Sequence, residues 1–163
     1  MEIIKAGIND LKKISKMYRD AIENLNHIGI YQWDEIYPNE LTLKEDIEKQ
    51  ELHKIISGDD LFGAVVINQE SDEEYTNGHF EDDNYAVVHR LCVAPEYQNQ
   101  KIGYHAMMLI ESLLKEQGFS SIRLDAFSEN PFSLKMYEKL GYRKVGNAQW
   151  RKGLFYLFEK KLK

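Results

Sequence analysis

Cysteine occurs once, at Cys92, in a chain of 163 residues. An intrachain disulfide framework is therefore excluded, and Cys92, set within an apolar run, reads as a small buried hydrophobe in a reducing compartment. Proline is scarce as well, with three residues, and no tract rich in Pro, Gly or Ser marks a linker, a repeat or a low-complexity segment. No stretch approaches the ~20 apolar residues of a membrane span, and Met1-Glu2-Ile3-Ile4-Lys5 carries no apolar leader, so a soluble, cytoplasmic protein is expected. Positive charge is the minority: 21 Lys and Arg face 27 Asp and Glu, a formal net charge of −6. Nucleic acid is thereby disfavoured as the main partner. His27, His53, His79 and His105 are scattered without metal-ligand spacing, and one cysteine completes no zinc set, so no metal is expected.

At 43% apolar, the chain fits one globular domain over residues 1–163. Ile3 and Ile4 suggest a short strand. Leu11, Ile14, Tyr18, Ala21, Ile22 and Leu25 then recur at helical spacing, with Asn9 as the expected N-cap. From Asn26 to Glu40 the periodicity breaks, and Tyr31, Trp33 and Tyr37 either plug the core or line a pocket. Thr42-Leu43-Lys44-Glu45 has the form of a capping box opening a helix to about Glu51. Leu52 to Ser57 and Leu61 to Asn68 read as a hairpin around Gly58-Asp59-Asp60. Between Glu70 and Asp83 lie seven carboxylates, either a solvated loop or a device that steers a cation.

The chain is organised around Val87 to Tyr142. Tyr85 to Ala94 is the longest apolar strand, closed by Pro95, and the turn Gln98-Asn99-Gln100-Lys101-Ile102-Gly103-Tyr104 opens a helix that ends near Gln117, with Gly118 at C′. A helix start leaves about four N–H groups unpaired at the positive end of the dipole, so strand, polar turn and helix in this order suit an anion such as phosphate. Ser121 to Phe127 is a second strand, parallel to the first through a right-handed crossover. Asn130 as N-cap, Pro131 at N1 and Gly141 after the last turn delimit a short helix. Arg143 to Trp150 and Leu154 to Lys160 form a closing hairpin around Arg151-Lys152-Gly153.

Three features in series resemble the GNAT superfamily of acetyl-CoA-dependent N-acetyltransferases: the turn Gln98-Asn99-Gln100-Lys101-Ile102-Gly103, the pair Asn130-Pro131, and Tyr137 followed by Leu140-Gly141-Tyr142. The resemblance implies an α/β fold with a mixed, splayed central sheet and helices on both faces. It implies that acetyl-CoA lies against strand backbone at Leu91, Cys92 and Val93, with pyrophosphate on the turn N–H groups from Asn99 to Tyr104, including Gln100, Lys101, Ile102 and Gly103. Gln98 would add a side-chain contact, and Asn130 and Ser133 would touch the cofactor from the other side. Tyr137 matches the tyrosine that protonates the departing thiolate in many members, against the plain alternative of a packing aromatic.

The chain departs from the family pattern at two places. Lys101 stands where the turn usually has its first glycine; a side chain there restricts positive φ, whereas an ammonium can pair with phosphate. Several relatives carry a strand glutamate as base, but the matching position here is Val87. His89 is the candidate proton acceptor, directly or through water, beside the reading of a structural histidine. The expected activity is direct acetyl transfer to a primary amine of a small cationic molecule or peptide, with Trp33 and Tyr37 bordering the acceptor. The alternatives are a non-catalytic CoA-binding sensor and a transferase of another acyl or aminoacyl group on the same fold. Acetyl-CoA and the amine are the expected partners, with a homodimer left open.

Overall fold

The computed structural model describes residues 1–163. Seven strands form one sheet in the order β1-β2-β3-β4-β5-β7-β6, flanked by helices. The strands are β1 (Glu2–Lys5), β2 (Leu52–Ser57), β3 (Asp60–Asn68), β4 (Tyr85–Val93), β5 (Ser121–Phe127), β6 (Arg143–Trp150) and β7 (Gly153–Lys161); the helices are α1 (Leu11–His27), α2 (Glu40–Glu48), α3 (Ile102–Glu116) and α4 (Pro131–Leu140). No helix is long and apolar enough to cross a membrane. The chain folds as two compact units, residues 1–67 with 90–107, and 68–89 with 108–163.

In the first unit, β1 pairs antiparallel with β2, and β2 with β3 across the Gly58 turn, where φ is +59°. Of the α1 face read from its periodicity, Ile14, Tyr18, Ala21 and Ile22 are buried, with Met17 beside them, while Leu11 and Leu25 are half-buried. This face packs with Leu43 of α2, Leu52, Ala64, Val66 and Cys92 in one core. Complete burial of Ile14, Leu43 and Leu52 contributes roughly 1.5–3 kcal/mol each. Both expected helix starts are corrected. Asn9 lies in a short 3-10 turn, Ile8–Asp10, and the Asp10 carboxylate accepts the Gly7 N–H at 2.8 Å. Thr42 is inside α2, whose cap is Asn39: the Asn39 Oδ1 accepts both the N–H and the hydroxyl of Thr42, at 2.9 and 3.0 Å. An Asx side chain placed ahead of the first turn caps more effectively than the threonine that follows it.

In the second unit, β4 and β5 run parallel, with Tyr85 opposite Ser121 and Val87 opposite Arg123. β7 lies antiparallel to both β5 and β6. Tyr75, Val87, Val145, Ala148 and Leu157 share a core. The punctuation of α4 is as read: the Asn130 Oδ1 accepts the Ser133 N–H at 3.2 Å, Pro131 follows, and Gly141 is left-handed at φ +92°. Gly118 is likewise left-handed after α3, at φ +96°.

Candidate active site

The end of β4 and the turn that follows belong to the first unit. Arg90 has φ +50° within the strand, a bulge conformation in which glycine is usual and another residue costs roughly 1–2 kcal/mol. Distant side chains hold it there. The buried Tyr18 hydroxyl donates to the Arg90 carbonyl at 2.6 Å. The Arg90 guanidinium pairs with Asp46 at 2.6 Å and donates to the Tyr37 hydroxyl at 2.5 Å. Burial pushes the Asp46 carboxyl up, and the Arg90 charge opposes that shift. Removing one member of such a buried pair typically costs about 3–5 kcal/mol.

Beyond the bulge, the Ala94 N–H goes to the Phe62 carbonyl on β3 at 2.8 Å. Because successive strand residues send their N–H groups to opposite edges, those of Val93 and Leu91 lie on the edge away from β3, and that of Cys92 on the β3 edge. Cys92 itself is buried, and loss of solvent pushes its thiol up to about 12. It is an inert core residue rather than a nucleophile.

The Gln98 side chain is turned inward. Its Nε2 donates to the Val93 carbonyl at 3.1 Å, and its Oε1 accepts from Asn24 Nδ2 at 3.0 Å. The turn is thus tied to β4 and α1 by the residue expected to touch phosphate. Asn99 and Lys101 are both left-handed, at φ +64° and +61°. Lys101 therefore adopts the conformation a glycine would take more easily, with its side chain exposed. Ile102, Gly103 and Tyr104 follow as the first turn of the fifteen-residue α3, where the leading N–H groups have no acceptor within the helix. Of the acceptor candidates, Trp33 packs on Tyr18 at a ring separation of 5.8 Å, while Tyr37 is 41% exposed and bound to Arg90 through its hydroxyl. Trp33 is partly buried against the core, and Tyr37 stays at the surface.

α4 and the start of β4 belong to the second unit. Tyr137 is buried, its ring edge-on to Tyr142 at 5.4 Å and 6.1 Å from Phe158. Burial, and after it the nearby Asp125 charge, raises its phenol well above the ordinary tyrosine range. His89 Nε2 lies 2.8 Å from the Asn68 Oδ1 and 3.0 Å from the Glu70 carbonyl. A carbonyl oxygen only accepts, so Nε2 carries hydrogen and Nδ1 is the basic nitrogen of the neutral ring.

Asp125 and its partner Tyr75 escaped the sequence reading. Tyr75 donates to Asp125 Oδ2 at 2.7 Å, and both Asp125 and Tyr137 act to raise the buried Tyr75 phenol, after burial itself. The available signal was a carboxylate in mid-strand, out of phase with Ile122, Leu124 and Ala126. The acidic run is also more ordered than a solvated loop. Tyr75 stacks on Phe80, Glu74 accepts the Trp150 indole N–H at 2.6 Å, and Asp82 accepts from the Ser120 hydroxyl at 2.8 Å. Glu81 pairs with Arg143 and Lys161, and the buried Glu159 accepts the backbone N–H groups of Glu81 and Asp82. Asp72, Glu73 and Asp83 remain exposed.

A polar turn thus opens α3 after β4, and a buried tyrosine sits on α4 after β5. The chain belongs to the Acetyltransferase (GNAT) family, whose model matches residues 15–142. It is 26% identical over 155 residues to a spermidine N(1)-acetyltransferase of Thermoplasma acidophilum, covering 88% of each chain. In fold it is similar to a GNAT-family acetyltransferase of Streptococcus agalactiae, with a TM-score of 0.83 and 21% identity over 99% of this chain and 95% of that one. It is also similar to the PaiA N-acetyltransferase of T. acidophilum solved with coenzyme A, with a TM-score of 0.72 and 21% identity over 98% of each. The protein is an acetyl-CoA-dependent N-acetyltransferase.

The Lys101 conformation yields a direct test. Lys101→Gly relieves a left-handed residue, by about 1 kcal/mol, and is expected to leave acetyl-CoA Kd unchanged or up to about fivefold tighter in calorimetric titration. A fivefold weakening would instead assign the ammonium to a phosphate.

Proposed function

We propose that the enzyme transfers the acetyl group directly to a primary amine of a small cationic molecule or peptide. The observation that carries this reading is the exposed remainder of the acidic run at Asp72, Glu73 and Asp83. The similarity to a spermidine acetyltransferase points to the same acceptor class. Acetyl-CoA would rest its pyrophosphate on the turn N–H groups from Asn99 to Tyr104, with Gln98 bracing the turn from within. Leu91 and Val93 would supply backbone donors to the pantetheine arm and the thioester oxygen, and Cys92 would support that segment of strand. Negative charge develops on that oxygen during attack, so donors already fixed in place lower the barrier. Asn130 and Ser133 would meet the cofactor at the head of α4. Trp33 and Tyr37 would border the acceptor.

In this mechanism the amine sheds its proton toward His89 Nδ1, directly or through water, and attacks the carbonyl carbon. As the tetrahedral intermediate collapses, the carbon–sulfur bond breaks and the Tyr137 hydroxyl protonates the leaving thiolate. The nitrogen then gives its second proton to the Tyr137 phenolate and His89 releases the first to solvent, so that amide and free coenzyme A are the products and both side chains are restored. His89→Gln is expected to lower kcat by about 10- to 100-fold with acetyl-CoA Kd little changed. An unchanged kcat would retire His89 as the base.

The acceptor class is tested by neutralising Glu70, Asp72, Glu73 and Asp83 together as amides, leaving Glu74, Glu81 and Asp82 to their structural partners. Thiol release from acetyl-CoA would be followed with spermidine, lysine and a neutral amine. For the cationic acceptors kcat/KM is expected to fall about tenfold and to lose its salt dependence, while the neutral amine is unaffected. Equal values for variant and parent would sink the cationic reading.

A further inference from the structure

We propose that Arg90 is the positioning residue of the acetyl-binding backbone, fixing the β4 bulge that decides which edge receives the Leu91 and Val93 N–H groups. The inference rests on the reading that acetyl-CoA lies along this part of β4. Three parts of the first unit converge on this residue. The α1 residue Tyr18 ties its carbonyl at 2.6 Å, the α2 residue Asp46 ties one guanidinium nitrogen at 2.6 Å, and Tyr37, on the segment before α2, ties the other at 2.5 Å. The pair is deeply placed, with side chains 12% and 10% exposed for Arg90 and Asp46. Tyr18 is 1% exposed, so its hydroxyl has little freedom to seek another acceptor.

A strained backbone persists where its surroundings over-determine it, and here they do so without a glycine. The consequence is a matter of phase. One left-handed residue within a strand shifts the alternation of everything after it. The Ala94 N–H fixes the phase on the far side by reaching Phe62 on β3, and that leaves Val93 and Leu91 with the opposite edge. If Arg90 relaxed to ordinary extended geometry, the donors offered to the thioester would change partners with those facing β3. Tyr37 thus acts through its hydroxyl on the strand as well as bordering the acceptor, so the acceptor segment and the carbonyl-polarising backbone are held by one guanidinium.

The test compares Arg90→Gly with Arg90→Ala. Both remove the guanidinium and leave Asp46 without it, but glycine accepts φ +50° and alanine resists it. We expect Arg90→Gly to retain a kcat roughly 5- to 30-fold above that of Arg90→Ala, with acceptor KM similar in the two. Tyr18→Phe, which frees the bulge carbonyl and leaves the ion pair intact, is expected to lower kcat about five- to tenfold with acetyl-CoA KM little changed. Equal kcat for the two Arg90 variants, or an unaltered kcat in Tyr18→Phe, would overturn the inference. Should neither Arg90 variant fold, Tyr18→Phe decides it alone. A coenzyme A complex of the parent whose thioester end lies away from Leu91 and Val93 would refute the underlying reading instead, whereas one that lies along them with indistinguishable Arg90 variants refutes the positioning role only.

Discussion

Tyr137→Phe is expected to lower kcat about 100-fold while leaving the calorimetric Kd for acetyl-CoA within about twofold, because only a proton donor is removed. The ring contacts with Tyr142 and Phe158 are kept by phenylalanine, so the melting temperature should change little. The raised phenol adds a second expectation. A coenzyme thiolate needs a donor that is still protonated when it departs, and Tyr137, pushed above the ordinary value by burial, keeps its hydrogen beyond pH ~10. The alkaline limb of the parent profile should therefore not belong to this residue, and the limb should persist in Tyr137→Phe at its lower rate. A loss of less than about threefold would make Tyr137 a packing residue.

Gly63→Ala is expected to be among the most destabilising single-methyl changes in the chain. A Cβ on Gly63 would stand 2.2 Å from the Cys92 carbonyl oxygen and 3.2 Å from both the Cys92 carbonyl carbon and the Val93 Cα. All three are backbone atoms, so no side chain can rotate out of the way, and β3 would have to move off β4. Overpacking of this kind costs roughly 3 kcal/mol, a fall in Tm of about 6–12 °C for a domain of this size. Since Cys92 and Val93 flank the proposed site of the pantetheine arm, acetyl-CoA binding should weaken as well. A melting temperature within about 2 °C of the parent would show that the two strands separate without strain.

Tyr137 also marks what was legible in the sequence. Tyr137 stood out because its spacing from Asn130-Pro131 and Gly141-Tyr142 is local, and α4 is delimited by residues whose effects are local too: an Asx cap, a proline at N1, a left-handed glycine. The hairpins and the α1 face were legible for the same reason, since periodicity and turn chemistry act within a few residues. The bulge at Arg90 was not. Nothing in Val88-His89-Arg90-Leu91 favours positive φ, and the contacts that impose it come from 72, 44 and 53 residues away. The Tyr75–Asp125 bond, spanning 50 residues, was hidden likewise, because seven neighbouring carboxylates made Tyr75 look like an incidental aromatic in a polar loop. Lys101 was an intermediate case: its identity argued against a left-handed turn, and the turn is left-handed nonetheless.

The order of strands in the second unit has a consequence for how the protein is made. β7, synthesised after both of its neighbours, inserts between β5 and β6, setting Lys161 opposite Ser121 and Phe155 opposite Phe127. It also carries Glu159, whose carboxylate gathers the backbone of Glu81 and Asp82. Chains emerge from the ribosome N-terminus first, at about 5–20 residues per second. Several seconds therefore pass in which β5 presents an unpaired edge and the carboxylate-rich strap lacks its anchor. A nascent chain stalled before residue 153 should be cut readily by protease near residues 72–83, and the same segment should become resistant once residue 161 has cleared the exit tunnel.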